Sequence, residues 1–520
     1  MATTKPVPEQ VDLLVVGGGV NGAGIARDAV GRGLSVILCE KDDLAQGTSS
    51  RSGKYIHGGL RYLEYYEFRL VREALIEREV LLETAPHITW PLRLVLPHTP
   101  EQRPAWLVRL GLLLYDNLGG RKRLPRTRAL DLRTAPEGRA LRDQYTKGFE
   151  YSDCWVDDSR LVLLNALDAA ARGAAVLTRT AVTNAAREGA LWSVELTDTV
   201  SGERRTVRAR CLANAAGPWV EKVLGRAAGV TSKRRVRLVK GSHIVTKKFW
   251  DGQNAYVLQN HDKRLIFINP YQGDLTLCGT TDIPYEGRPE DVKIDDGEIA
   301  YLLEVMNRYF KHQLTPADIV HSFSGVRPLY DDAQANPSAV TRDYVFEVDG
   351  GEGGKAPIIS AFGGKITTYR KLAEHALDKL RPFFPEMGKP WTATGHLPGG
   401  DMPDADPEAY LAALARRHPW LPAPLARHYV RLYGTRLDRV VGGARSTADL
   451  GRHFGGLLYE REARYLCHEE WAMTAEDVLE RRTKHGLRLT AVERQAFADW
   501  MGDQVRPRAP NVVERAKVPA

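Results

Sequence analysis

Residues 11–41 read VDLLVVGGGVNGAGIARDAVGRGLSVILCEK. Leu13–Val16 has the short, wholly apolar signature of a buried strand, Gly17–Gly22 is a turn, Ala23–Arg32 is predicted helical and Leu34–Glu40 is a second strand. Such a β-α-β unit implies a parallel sheet. The turn carries Gly17-x-Gly19-x-x-Gly22. Gly17 permits a tight turn, Gly19 lets the backbone approach a pyrophosphate, and Gly22 allows the helix to pack closely on the strand. The helix N-terminus then offers free N–H groups and partial positive charge to phosphates. Glu40, at the end of the second strand, is placed to accept hydrogen bonds from ribose hydroxyls. The stretch therefore predicts a dinucleotide site; the fingerprint alone does not separate FAD from NAD.

Outward from this unit, Val176–Val182, Trp192–Leu196 and Arg210–Ala216 read as strands, and Asp158–Arg172 as a helix capped by Asp157. Arg61–Thr84 has helical spacing. Residues 236–350 hold many short strand signals, which suggests a mixed or antiparallel sheet in an inserted domain. Ala361–Leu380 begins as a glycine loop and becomes a helix. Pro390–Pro407 resembles a linker, and residues 408–495 read as α-helical. The predicted class is α/β plus α.

The 520 residues, 43 % hydrophobic and 27 % charged, have room for two to four domains and exclude a disordered, collagenous or coiled-coil chain. Cys39, Cys154, Cys211, Cys278 and Cys467 form no CxxC pair, so no zinc knuckle or disulfide framework is expected, and reduced thiols fit a cytoplasmic setting. The net charge of +8 suits an anionic substrate, an anionic membrane surface or nucleic acid, and decides nothing alone. The polar start MATTKPVPEQ does not read as a secretory signal, and no apolar run reaches membrane-spanning length.

Several ordered motifs point further: GGGVNGAGIARDAVGRGLSV, KYIHGGLRYLEYYEFRLVREALIEREVLL, GFEYSDCWVDDSRLV, NAAGPWV, KGSHIV, GTTD, SGVRPL and FGGKITTYRKLAEHAL, with a weaker echo in AEDVLERRTKHG at 475–486. On these the chain resembles the FAD-dependent, quinone-linked aerobic glycerol-3-phosphate dehydrogenases over residues 12 to about 380. One departure is Arg51-Ser52-Gly53-Lys54-Tyr55, where such proteins often carry another serine before the lysine and an aliphatic residue after it. The resemblance implies a Rossmann-type FAD-binding domain of the glutathione-reductase/D-amino-acid-oxidase group, an inserted mixed-sheet substrate domain and a helical C-terminal domain. We place the FAD-binding domain at 11–100, 150–225 and 340–385, the substrate and membrane-facing domain at 100–150 and 226–340, and the helical domain at 390–510. It also implies oxidation of sn-glycerol 3-phosphate to dihydroxyacetone phosphate, electrons passing to a membrane quinone, a homodimer, and peripheral attachment to the inner face of the cell membrane. An oxidase using O2 is the nearest alternative, and an inactive FAD-binding interaction protein the alternative of another class.

Oxidising a secondary alcohol removes a hydride from carbon and a proton from oxygen; FAD takes the hydride, and the protein supplies a proton acceptor and cations. His243 in KGSHIV is the candidate base, since an ordinary imidazole titrates near neutrality. Arg327 is the candidate for stabilising the alkoxide. Arg61, Tyr62, Arg327, Arg342 and Lys365 are the candidate substrate contacts, arginine being suited to phosphate by its planar fork. His57 is expected to shape a loop near the flavin, and Thr280-Thr281-Asp282 to form a turn. The cofactor set starts with Gly17, Gly18, Gly19, Asn21 and Gly22, and continues with Glu40, Lys41, Ser49 and Ser50. Val182, Ala216 and Gly217, then Gly364, Lys365 and Thr367, complete it. FAD is expected to be non-covalent, and no metal site is expected.

Ala105–Tyr115 combines apolar residues with Trp106 and Tyr115 and is followed by Arg121-Lys122-Arg123, Arg126 and Arg128, a pattern suited to an anionic lipid surface. The run Lys233-Arg234-Arg235 with Arg237 reads as a solvated face, and no motif supports nucleic-acid binding.

Overall fold

The computed structural model describes residues 7–120, 123–226, 230–232, 234–331 and 343–505. The leading unit forms as the sequence predicts: strand Gln10–Val16, helix Val20–Gly31 and strand Val36–Cys39, the two strands parallel. They belong to a sheet ordered Tyr344–Asp349, Ile358–Gly363, Arg204–Asn214, Gln10–Val16, Val36–Cys39, Ala175–Leu177. From Ile358–Gly363 onward the strands run parallel. Both faces of a parallel sheet must be covered, which is why Leu13–Val16 is continuously apolar. On one face helix Val20–Gly31 lies beside helices Asp158–Ala171 and Tyr369–Leu380, sharing a core that includes Leu13, Val15, Leu163 and Ala376. Asp157 caps its helix as predicted, accepting from the Arg160 N–H at 3.1 Å.

The second sheet is ten-stranded and mostly antiparallel, built around Val236–Lys247, Leu275–Gly279, Leu265–Tyr271 and Ala255–Gln259, with Ile319–Tyr330 on the other side of Val236–Lys247. It also takes Tyr55–Ile56, Thr89–Pro97 and Lys147–Val156. The domain division drawn from sequence grouped Tyr55–Ile56, Thr89–Pro97 and residues 150–156 with the dinucleotide-binding part; their strand pairing lies in the second sheet. An alternating pattern specifies a strand but not the distant partner it pairs with.

Two predicted elements are split by left-handed residues. Arg61–Thr84 is a 3-10 turn at Leu60–Tyr65 and an α-helix at Phe68–Thr84, separated where Tyr66 takes φ 59°. Val176–Val182 is two strands, Ala175–Leu177 and Thr180–Glu188, separated at Arg179 with φ 50°.

The C-terminal part is helical, as predicted, apart from the small hairpin His453–Gly455/Leu458–Tyr459. Its core includes Leu425, Tyr429, Leu466 and Phe497. Buried ion pairs bind it to the dinucleotide domain. Arg160 Nη2 meets Glu470 Oε1 at 2.9 Å. Asp43, fully buried, receives Arg481 Nε at 2.6 Å and Arg482 Nη2 at 2.7 Å. Arg179 reaches Asp477 at 2.8 Å. The motif at 475–486 thus anchors the loop that follows strand Val36–Cys39. His87 is buried close to Arg160 and Arg431, and burial, then those cations, hold its pKa at about 3. His428, Glu462 and His485 could present metal ligands, their candidate atoms lying within 4.8 Å of one another. Here they form a hydrogen-bonded group, with His428 Nε2 at 2.8 Å and His485 Nε2 at 3.4 Å from the carboxylate, which also accepts from the Tyr433 hydroxyl at 2.7 Å.

Candidate active site

A cavity of about 1460 Å³ is lined from both sheets, running from the Gly17–Asn21 turn and Glu40 to His243, Arg327 and Lys365. At the dinucleotide end Gly17 has φ +110°, and its N–H donates to Cys39 O at 2.8 Å. Gly19 starts the helix at the cavity surface. Ser49 Oγ accepts from the Val20 N–H at 3.0 Å, so Ser49 buttresses the helix start. Glu40 accepts from the N–H groups of Gly18 and Asp42 at 2.7 and 2.9 Å, and burial raises its pKa. Lys41 lies 4.6 Å over the Trp219 ring, and Val182, Ala216 and Gly217 form the adjoining wall.

At the other end Asn21 Nδ2 donates to Gly363 O at 3.4 Å, Gly364 has φ +106°, and Thr367 Oγ1 accepts from the His57 N–H at 3.3 Å. Three residues of the predicted cofactor set do not line the cavity. Gly18 lies against Glu40, Gly22 is pressed on Gly17, and Ser50 turns its hydroxyl to Gly47 O at 3.5 Å. The chain nonetheless fits FAD: bare backbone at Gly17, Gly19 and Gly364, a helix N-terminus and one long cavity are what a dinucleotide requires.

The catalytic candidates come from the second sheet. His243 pairs with Gly279 on one neighbouring strand and Phe323 on the other. Its ring stacks on Phe323 with centroids 4.8 Å apart, and neither ring nitrogen has a partner among the described residues. Burial, then Arg327 and Lys54, hold its pKa at about 3. An ordinary imidazole titrating near neutrality is expected from the sequence; burial and these cations instead push the His243 pKa down to about 3 and keep the ring neutral.

Arg327 is ion-paired to Asp282, and its Nη2 donates to Thr280 Oγ1 at 3.1 Å. The Thr280–Asp282 segment, expected only as a turn, thus orients the arginine. Gly241 leaves room for it: a Cβ there would sit 2.8 Å from Arg327 Nη2. Lys365 Nζ lies 3.8 Å from the centre of the Tyr62 ring, and Arg61 shares the 3-10 turn with Tyr62 at the cavity wall. Arg342 lies outside the described residues, as do Arg121, Lys122 and Lys233. The sequence reading missed Asp282 and the facing glycines Gly241, Gly279 and Gly325; the signal was present as glycines inside strand-like runs, which mark close approaches.

The family model described as FAD dependent oxidoreductase matches residues 12–370, and that of the C-terminal domain of alpha-glycerophosphate oxidase matches residues 391–504. The chain is 64 % identical over 493 residues to a Brucella abortus protein named D-erythritol 1-phosphate dehydrogenase, covering 95 % of this chain and 98 % of that one. It is 50 % identical over 500 residues to the aerobic glycerol-3-phosphate dehydrogenase of Escherichia coli, covering 96 % and 99 %. The crystal structure of the glycerol-3-phosphate dehydrogenase from Bacillus halodurans complexed with FAD superposes with a TM-score of 0.77 at 28 % identity, covering 96 % of this chain and 91 % of that one. The fold, the dinucleotide cavity and these matches agree: the protein is an FAD-dependent oxidoreductase, and the chain belongs to the glycerol-3-phosphate dehydrogenase family.

Proposed function

We propose that the chain oxidises the secondary alcohol of a short polyol phosphate to a ketone and passes the electrons to a membrane quinone. The observation that carries this reading is one cavity holding a dinucleotide turn at one end and His243, Arg327, Arg61, Tyr62 and Lys365 at the other. FAD, when bound without a covalent link, supplies the hydride acceptor. Neutral His243 takes the hydroxyl proton. Arg327, aimed by Asp282, stabilises the alkoxide as it forms. Arg61, Tyr62 and Lys365 bind the phosphate.

The half-identical E. coli relative favours sn-glycerol 3-phosphate, giving dihydroxyacetone phosphate. The 64 % identical relative favours D-erythritol 1-phosphate as a second reading. Anaerobic addition of each to the purified yellow protein tests both. Bleaching of the flavin by either supports an active dehydrogenase; no bleaching by either overturns it in favour of an inactive FAD-binding protein. Arg327→Ala is expected to lose about 30–1000-fold in kcat/KM while keeping its flavin, since a charge-assisted contact to the reacting oxygen is worth roughly 2–4 kcal/mol. Near-native turnover by that variant would remove Arg327 from the chemistry.

The acceptor side rests on helix Ala105–Leu118, which buries Leu112 and Tyr115 but leaves Trp106 68 % and Leu113 58 % exposed. Leu110 and Leu114 are exposed too and, with Tyr65, Tyr66 and Phe68, line the cavity mouth. No described helix is long and apolar enough to cross a membrane. A cavity mouth rimmed by exposed apolar side chains suits a bilayer surface from which a quinone enters. Of the basic run after it, Arg123 and Arg128 are engaged by Glu83 at 2.8 Å and Glu137 at 2.7 Å and Arg126 is exposed, as is Arg109 on the helix itself. The helix therefore contributes mainly apolar insertion. The protein is expected to sediment with anionic vesicles, with high salt weakening binding only in part. Trp106→Asp paired with Leu113→Asp is expected to leave it in the supernatant. Stoichiometric hydrogen peroxide from a protein that never sediments would favour the oxidase alternative.

A further inference from the structure

One wall of the cavity has no part in the chemistry assigned so far. Along the strands from His243 come Gly241, paired with Gly325, and then Arg327, paired with Val239. That direction leads to the cation. Across the strands His243 pairs with Gly279, and Gly279 with Phe267. Gly279 leaves the step between the two rings open, since a Cβ there would lie 2.2 Å from His243 Cδ2. Two residues beyond Phe267, on the same face, is Asn269. The Tyr55 ring packs on Phe267 with centroids 4.9 Å apart, and the Tyr55 hydroxyl donates to Asn269 Oδ1. Tyr55 is 7 % and Asn269 1 % exposed, yet both line the cavity.

Gly53 closes this chamber. A Cβ on it would stand 3.4 Å from the Tyr55 ring and 3.7 Å from His243 Nε2, so any longer side chain would fill the space between base and tyrosine. Asn269 uses its Oδ1 for the Tyr55 hydroxyl, and its Nδ2 belongs to the same cavity-lining side chain. A buried amide donor at a cavity surface calls for an acceptor. With its proton given to Asn269, the Tyr55 oxygen is in turn free to accept. The chamber thus offers one donor, one acceptor and an apolar floor, with no charge among these four residues: the complement of a carbinol group and not of a phosphate.

We propose that this chamber receives the carbinol that a four-carbon polyol phosphate carries beyond the three carbons of glycerol 3-phosphate and pairs its hydroxyl with Asn269 and Tyr55, so that the site selects a polyol phosphate of four or more carbons over glycerol 3-phosphate. This rests on the proposed polyol phosphate oxidation, with the phosphate on the cationic side of His243. The test measures kcat/KM for D-erythritol 1-phosphate and glycerol 3-phosphate on FAD-loaded wild type, Asn269→Leu and Tyr55→Phe. Wild type is expected to prefer the four-carbon substrate by roughly ten-fold or more, and Asn269→Leu to cut that ratio by roughly ten-fold, because a hydroxyl-binding site discriminates through groups left unpaired. Tyr55→Phe keeps the ring packing and is expected to cut it by a smaller factor, so a folded variant reports even if Asn269→Leu loses FAD. A wild-type preference for glycerol 3-phosphate overturns the inference. So does a ratio unchanged in every variant that retains FAD. Failure of both substrates to reduce the flavin overturns instead the proposed function on which it rests.

Discussion

Gly22→Ala protein is expected to purify without FAD. A methyl group at that position would lie 1.9 Å from the Gly17 carbonyl oxygen, a backbone atom that no side-chain rotation can clear. The helix start must then back away from the strand end, and the turn that presents bare backbone to the pyrophosphate is lost. The ratio of flavin to protein absorbance after purification measures this directly. Gly19→Ala is the informative companion: within the protein its Cβ would meet only the Ser49 hydroxyl, at 3.1 Å, so flavin lost there reports close approach of the cofactor rather than helix–strand packing. Flavin retained in Gly22→Ala at the wild-type level would mean that close helix–strand packing is not what the fingerprint secures.

Asp43→Ala is expected to be the most destabilising single truncation outside the turn. Asp43 is fully buried and receives Arg481 and Arg482, with Arg179 Nη1 at 3.5 Å. Removing it leaves the buried Arg482 guanidinium without its carboxylate and Arg481 with only Asp477 and Glu476, and breaking a buried pair from one side costs about 3–5 kcal/mol. The thermal midpoint should fall accordingly. Adding Arg482→Leu to Asp43→Ala should recover part of the loss, since a buried cation without its carboxylate is worse than an apolar replacement. A single variant as stable as wild type would show that the Asp43 pairs do not hold the C-terminal domain.

What could be read in the sequence was local, and what could not was relational. The Gly17–Gly22 turn, its flanking strands and the Asp157 cap depend on neighbours a few residues away, and they stand where the sequence puts them. The pairing of Thr89–Pro97 with Ala255–Gln259 was not legible, because nothing in a strand's own residues names a partner that far along the chain. The break at Tyr66 escaped because a bulky residue at positive φ has no sequence signature. His243, Arg327 and Lys365 were singled out by motif and chemistry, and one cavity holds them all. Asp282 was read as a turn and Tyr55 only as a departure from its relatives, since each acquires meaning from a partner across the sheet: Arg327 for the first, Asn269 for the second.

Two imidazoles held uncharged inside the fold make this protein a proton sink when it opens. His87 and His243 carry pKa values of about 3 in the folded chain, whereas an exposed histidine titrates near 6.5. Between those limits the unfolded chain binds more protons, so stability rises with pH and is lost as pH falls through this window. At pH 5 each ring takes up close to one proton on unfolding, a slope of about 1.4 kcal/mol per pH unit for each. Calorimetric unfolding at that pH, repeated in buffers of different ionisation heat, should show a heat difference that shrinks when His87 is replaced by an uncharged residue. A buffer-independent enthalpy would mean that the interior does not exclude protons from these rings.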